Sequence, residues 1–147
     1  MKQKLKNKII AFQQKIISLT QSQEEKDKQF NALEKQYALE LIEIIDAFES
    51  IFNNLATKES ALDKTSKRVI KSCRSVYRKT LRILEEKEIN QMEFLDNQAQ
   101  VGLCKIIETQ SNPELKDGHI IAIVKNGYQQ KDRIIRVAEV ITVSNKD

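Results

Sequence analysis

The chain has 147 residues, of which 40% are hydrophobic and 31% are charged, and its formal net charge is +4. That length allows one compact domain, or an elongated helix that carries a small second domain. Two cysteines are too few for a disulfide framework, and a single histidine excludes sites that need two. No stretch approaches the roughly 18 apolar residues of a membrane span. We therefore expect a soluble cytoplasmic protein without a metal or cofactor.

The first two-thirds of the chain is predicted to be helical, because no Gly or Pro occurs before Gly102. From Leu5 to Leu55, apolar residues recur at alternating steps of four and three, which is typical of a coiled-coil seam. Past Tyr37 the apolar stripe widens, which favours packing in a bundle. A helix of ~50 residues is ~75 Å long and cannot bury its own stripe, so a second copy or a partner must cover it.

The first 23 residues carry five lysines and no acidic residue. A basic amphipathic helix of this kind can lie on an anionic membrane. The apolar seam continues in register into Phe30, however, so we prefer to interpret this segment as the basic tip of a coiled coil. Gln23 and Lys26 occupy two seam positions, which predicts that the tip is the least stable part of the helix.

A break is predicted between residues 53 and 60, where Asn53-Asn54 lowers helix propensity and Ser60 to Asp63 resembles a capping box. A second helix then runs from about Ala61 to Lys87, antiparallel to the end of the first. Two such hairpins from two chains would close a four-helix bundle. The apolar stripes of both helices supply the residues that we expect at the dimer interface: Phe30, Leu33, Tyr37, Leu41, Ile44, Ile45, Phe48, Phe52, Val69, Val76 and Leu81.

Charged residues form one pattern on each helix. The first helix carries four acidic residues, Glu40, Glu43, Asp46 and Glu49. Without a nearby histidine or cleft, we interpret them as a solvated or ion-paired face rather than as acid–base groups. The second helix carries a basic stripe, Lys67, Lys71, Arg74, Arg78 and Arg82. Phosphate binding is one interpretation of this stripe, but it lacks aromatic residues and Gly, so a solvated face is the one we prefer.

After Lys87 the pattern changes to short β-branched runs separated by turns. Strands are predicted at 101–107, at 120–124 and within 134–143. Asn112-Pro113 and Asp117-Gly118 mark turns, and residues 127–132 are predicted to form a loop. The chain is therefore predicted to be α+β, with a small β-rich head after two helices.

Three short segments of the head carry a resemblance to a known family: Gly127-Tyr128, Arg133-Ile134-Ile135-Arg136 and Ala138-Glu139-Val140. The chain is similar there to the GrpE family, the nucleotide exchange factors of DnaK-type chaperones, and the similarity covers about Ala38 to Val143. It implies a long N-terminal coiled-coil helix, a helical hairpin that forms a dimeric four-helix bundle, and a small C-terminal β-wing domain. The implied boundaries are 1–56 for the dimerising helix, 57–88 for the second bundle helix and 89–147 for the β-wing head.

The resemblance also implies a function. A homodimeric co-chaperone, not an enzyme, would bind the ATPase domain of a DnaK-type chaperone, favour its open state and speed ADP release. Nucleic acid and membranes are not implied as partners. Arg133 and Val124 are implied to contact the chaperone, Gly127 and Tyr128 to contact it or build the wing, and Arg136 to do either. We expect the Arg133 side chain to be exposed at a rim of the sheet.

Two alternatives remain open. GrpE proteins usually have Phe-Asp-Pro and then a His before the first wing strand, where this chain has Phe94-Leu95-Asp96-Asn97. One alternative is therefore an adaptor that keeps the fold without exchange activity. The other is a basic coiled-coil protein that binds nucleic acid or a membrane surface, through Lys2–Lys15 or through the Lys67–Arg82 stripe.

Overall fold

The structure, a computed structural model, describes residues 1–146 and divides into two compact units, residues 1–37 and a second unit that starts at Ala38. Helix α1 spans Lys2–Ala56 and helix α2 spans Lys64–Glu86. Six strands follow: β1 (Ile89–Gln91), β2 (Cys104–Gln110), β3 (Ile120–Lys125), β4 (Tyr128–Gln130), β5 (Arg133–Arg136) and β6 (Ala138–Val143). The predicted α+β fold, with a long helix, a second helix and a small β domain, is confirmed. The three predicted domain boundaries stay predictions.

The first unit consists of the N-terminal part of α1. Every residue from 1 to 33 is exposed, including the apolar residues of the predicted seam. An isolated helix gains little stability from propensity alone, because most helical stability in proteins comes from packing of an apolar face. The apolar seam of residues 1–33 is therefore exposed to solvent along its whole length.

The break between the helices falls where Asp63 caps α2. Asp63 has extended dihedral angles, and its carboxylate accepts a hydrogen bond of 2.9 Å from the Ser66 N–H. Hydrogen bonding to the Ser66 side chain, and then to its backbone N–H, lowers the pKa of Asp63. The prediction that Ser60 begins the helix at Ala61 was wrong by one turn, because a short 3-10 helix, Glu59–Ala61, precedes the cap.

The second half of α1 packs with α2 and with strands β1, β4 and β5 around one core. Its buried members are Ala38, Ile42, Ile45, Leu84, Ile89, Tyr128 and Ile135. Phe52 and Tyr77 meet edge to face, with ring centroids 5.5 Å apart, a geometry that aromatic pairs favour. The core therefore joins both helices to β1, β4 and β5 of the head.

The six strands form two three-stranded sheets. The first sheet has the order β1-β4-β5 and is antiparallel. The second, which we call the wing sheet, has the order β2-β6-β3, with β2 parallel and β3 antiparallel to the central β6. Ile120, Ala138 and Val140 form a second small core beneath it.

Two strand predictions need correction. Residues 128–130 form β4 rather than a loop, so the turn shortens to Lys131 and Asp132, and Lys131 adopts a positive φ of 53°. The strand predicted at 101–107 begins only at Cys104, because Val101 and Gly102 form a turn in which Gly102 has a φ of 85°. Among the described residues, no helix is both long and apolar enough to cross a bilayer.

Candidate functional site

A partly buried ion pair ties β5 to helix α1. The Arg136 guanidinium donates to the Asp46 carboxylate, with 2.8 Å between Nη2 and Oδ1, and also donates to the Asn126 carbonyl, 2.7 Å from Nη2. The side chains of Arg136 and Asp46 are only 18% and 23% exposed. Burial by itself lowers the pKa of Arg136, but the hydrogen bonds and charge of Asp46 outweigh it and raise that pKa.

Glu49 extends this arrangement to helix α2. Its carboxylate accepts hydrogen bonds from the Asn126 amide at 3.0 and 3.2 Å and from the Tyr77 hydroxyl at 3.0 Å. Burial, and then the hydrogen bond and charge of Glu49, raise the pKa of Tyr77 to about 12. The five residues Asp46, Glu49, Tyr77, Asn126 and Arg136, which we call the root network, therefore hold the corner between β3 and β4 against both helices.

Gly127 and Tyr128 fill the space beneath the root network. A Cβ on Gly127 would lie 2.6 Å from Met92 Sδ and 2.8 Å from the Ala138 nitrogen, closer than any side chain allows. Tyr128 is 1% exposed, and the Arg136 guanidinium carbon lies 5.6 Å from the centre of its ring. Burial raises the pKa of the Tyr128 hydroxyl. Both residues therefore build the head from inside and are inaccessible to a partner.

The wing sheet presents exposed β-branched residues beside this corner. They are Ile106 and Ile107 on β2, and Ile121, Ile123 and Val124 on β3. Successive residues of a strand point to opposite faces of the sheet, so the five do not all lie on one side of it. We use the name wing face for these five residues together. Their exposed fractions lie between 40% and 52%. A groove of about 740 Å³ runs between β3 and the end of α1, and Val124 lines it together with Glu49 and Asn126. Exposed apolar clusters of this kind mark interaction sites.

A protein-family model described as GrpE matches residues 1–144, almost the whole chain. The chain belongs to the GrpE family. GrpE proteins are co-chaperones and nucleotide exchange factors that work with DnaK-type chaperones rather than catalytic enzymes, so this chain is a GrpE-like co-chaperone. No curated protein gives a significant match to it.

The wing residues implied by the GrpE resemblance fall into two groups. Val124 is 52% exposed on the edge strand β3 and is open to a partner. Arg133 is half-buried, and its Nε and Nη2 atoms are enclosed by protein, so the prediction of an exposed side chain was wrong. Arg133 is the first residue of strand β5, where it pairs with Gln130 of β4.

The residues predicted for the GrpE dimer interface also divide. Six are exposed: Phe30, Leu33, Tyr37, Ile44, Val69 and Val76. The other five make contacts within their own chain, because α1 and α2 pack on each other. Ile45 is fully buried, Leu41 and Leu81 pack against the same core, and Phe48 and Phe52 are half-buried and stacked at 6.1 Å.

Four residues of the root network were missing from the predicted site: Asp46, Glu49, Tyr77 and Asn126. A sequence signal existed for the two carboxylates. They stand four and seven residues after Ile42, on the helix face that Ile42 and Ile45 bury. Acidic residues on a buried face require partners. Asn126 shows no such signal, because its contacts lie 77 residues away along the chain.

Proposed function

We propose that this GrpE-like protein is a nucleotide exchange factor whose wing face binds the ATPase domain of a DnaK-type chaperone and speeds the release of ADP. The observation that carries the proposal is the exposed wing face on a sheet whose corner the root network fixes to the helices. An apolar surface held by partly buried hydrogen bonds is pre-organised for a partner, so less free energy is lost on ordering it.

The exchange step needs no chemistry from this chain. A protein that binds the open form of a nucleotide cleft more tightly than the closed form shifts the chaperone toward the open form. The same coupling must weaken nucleotide binding, because linkage between two ligands is reciprocal.

We further propose that the protein is a homodimer. On α2, Val69, Val76 and Ile83 repeat every seven residues and are exposed. On α1, Ile44 and Ile51 repeat with the same spacing and are exposed as well. A seven-residue apolar repeat is the pattern of helices that pack along a seam. Two hairpins that share these stripes would bury them in a four-helix bundle.

The decisive experiment measures the release of a fluorescent ADP analogue from the DnaK-type chaperone of the same organism. Wild-type protein should accelerate release, and Val124→Asp should weaken the acceleration at sub-saturating concentration at least tenfold, which corresponds to ~1.4 kcal/mol of binding free energy. The melting temperature should hardly change, because Val124 is exposed. Val101→Asp, the same substitution at another exposed valine of the head, is the matched control.

Two results would contradict the proposal in different ways. Equal loss with Val124→Asp and Val101→Asp would show that the wing face is not the contact. Wild-type protein that binds the chaperone without accelerating release would favour the non-exchanging adaptor instead.

A further inference from the structure

Helix α2 has three distinct faces, and two of them serve core packing and the proposed dimer. One packs into the core through residues such as Tyr77, Leu81 and Leu84. A second carries the exposed repeat of Val69, Val76 and Ile83 that we assign to the proposed dimer. At 100° per residue, the third face covers an arc of about 140° that contains neither of these sets.

This third face is almost wholly basic. Eight exposed residues lie on it: Lys64, Lys67, Arg68, Lys71, Arg74, Arg78, Lys79 and Arg82. We call these eight residues the basic face, and they extend over about 27 Å of helix. Glu85 and Glu86 are the acidic residues of α2, so the helix has a net charge of +6, against +4 for the whole chain. The positive charge of the protein is therefore concentrated here and in the first 23 residues, which carry five lysines and no acidic residue.

Helix stability does not explain this concentration. Four pairs on the basic face stand four residues apart with like charge: Lys64 with Arg68, Lys67 with Lys71, Arg74 with Arg78, and Arg78 with Arg82. Like charges at that spacing destabilise a helix. The first turn of α2 contains no acidic residue and its last turn no basic one. The helix dipole favours the opposite arrangement.

We propose that the basic face of α2 binds the phosphate backbone of a nucleic-acid duplex without sequence specificity. The remaining residues within its arc are Ser75, Glu85 and Glu86, so it offers no apolar or aromatic side chain. Protein interfaces use aromatic and apolar anchors, and helices that lie on membranes insert apolar side chains. Interfaces with nucleic acid are the more polar and strongly positive class, in which Lys and Arg neutralise phosphates.

The inference departs from the sequence-based preference for a solvated face. The stripe of five residues becomes a face of eight, and the structure separates it from the core and from the exposed apolar repeat. The guanidinium of Arg74 lies over the Phe52 ring at 5.2 Å, which fixes one margin of the face. The lack of aromatic residues argues against the stacking of single-stranded bases, but phosphate contacts do not need them.

The test is fluorescence anisotropy of the full-length protein with labelled DNA and RNA duplexes of about 20 base pairs and unrelated sequences. If five side chains contact phosphates, the logarithm of the affinity should fall with the logarithm of salt concentration with a slope of about −4.5. Affinity should then drop about 500-fold between 50 and 200 mM salt. Affinities for unrelated sequences should agree within about threefold, because phosphate contacts carry no sequence information.

The variant removes four charges from the basic face: Lys67→Gln, Lys71→Gln, Arg78→Gln and Arg82→Gln. Glutamine keeps the helix propensity, and circular dichroism verifies that the variant is folded. The matched control removes four charges from the other basic segment: Lys2→Gln, Lys4→Gln, Lys6→Gln and Lys8→Gln. We expect the first variant to lose at least 50-fold in duplex affinity and the control to stay within threefold.

Three outcomes would overturn the proposal: no duplex binding at 50 mM salt, equal losses in both variants, or tighter binding to poly-glutamate or to phosphatidylserine vesicles than to duplex. The exchange assay separates this proposal from the proposed function. None of the four substituted residues lies on the wing face, so the first variant should still accelerate ADP release as the wild type does.

Discussion

Two ion pairs of the head differ mainly in their exposure to solvent. Arg136 and Asp46 are 18% and 23% exposed, whereas Lys131 and Glu88 are 70% and 63% exposed, although the second pair is only 2.8 Å apart. Solvent and salt screen an exposed pair, and its net contribution to stability is ~0–1 kcal/mol. Removal of one partner from a buried pair leaves a charge without compensation, which costs more.

A double-mutant cycle should separate the two pairs. We expect Arg136→Ala and Asp46→Ala each to lower the free energy of unfolding by about 2 kcal/mol, with a coupling of about 1–3 kcal/mol between them. The coupling between Lys131→Ala and Glu88→Ala should stay below about 1 kcal/mol. Urea unfolding monitored by circular dichroism measures both cycles. Equal couplings would mean that the root network does not hold the head.

At this scale the sequence predicted little of the site. Gly127 and Tyr128 were found through a family resemblance, but the role of Gly127 follows from close packing against Met92 and Ala138, and that of Tyr128 from its burial in the core shared with both helices. The burial of Arg133 could not be predicted either, because it depends on strand β5 beginning at that residue. Side-chain environments of this kind arise from tertiary contacts that short-range patterns do not encode.

The elements were predicted better when they were long. The heptad spacing gave α1 and α2 to within a few residues, since helical periodicity accumulates over many turns. Strands β1 and β4 are three residues long, and β4 has the polar sequence Tyr128-Gln129-Gln130. Too few residues alternate there for a strand signal to emerge, so pairing with neighbouring strands decides their structure.

Thermal stability should differ along α1. Residues 1–33 are exposed, and Gln23 interrupts the seam while its side chain bonds to Asp27 at 2.9 Å. Local unfolding begins where few apolar contacts are buried. We expect residues 1–25 to lose helicity at a lower temperature than the rest, as a separate early phase in circular dichroism.

The matched measurement uses a shortened chain that begins at Lys28. Its melting curve should lack the early phase and keep the main transition within a few degrees, because the core starts at Ala38. If the shortened chain shows the same early phase, the unstable segment lies elsewhere.

At the scale of the whole molecule, the exposed repeats on both helices predict self-association. Ile44→Asp should dissociate the proposed dimer, because burying a carboxylate without a partner costs several kcal/mol. Ile44 is exposed in a single chain, so the substitution should leave the fold of that chain intact. Sedimentation equilibrium at micromolar concentration measures the mass.

Ile121→Asp is the matched control, because it makes the same substitution at an exposed isoleucine of the wing sheet. This variant should keep the dimer mass. A wild-type protein that sediments as a monomer would contradict the dimer directly.

The order of the elements along the chain was predictable from sequence, because a family resemblance and periodicity agreed on it. The packing of α1 against α2 through part of the apolar stripe was not predictable. An apolar pattern does not show whether a residue is covered by its own chain or by a second copy.

Strand β3 has a further consequence for the behaviour of the protein at high concentration. It lies at the edge of its sheet, and its sequence Ile120-Ile121-Ala122-Ile123-Val124 contains no charge and no Pro. Segments with that composition pair with identical strands of other copies and nucleate fibrils. The charge of Lys125 and two register shifts against β6 oppose such pairing. When the protein is concentrated, β3 is therefore the strand at which we expect edge-to-edge association of copies to begin, limited by these two features.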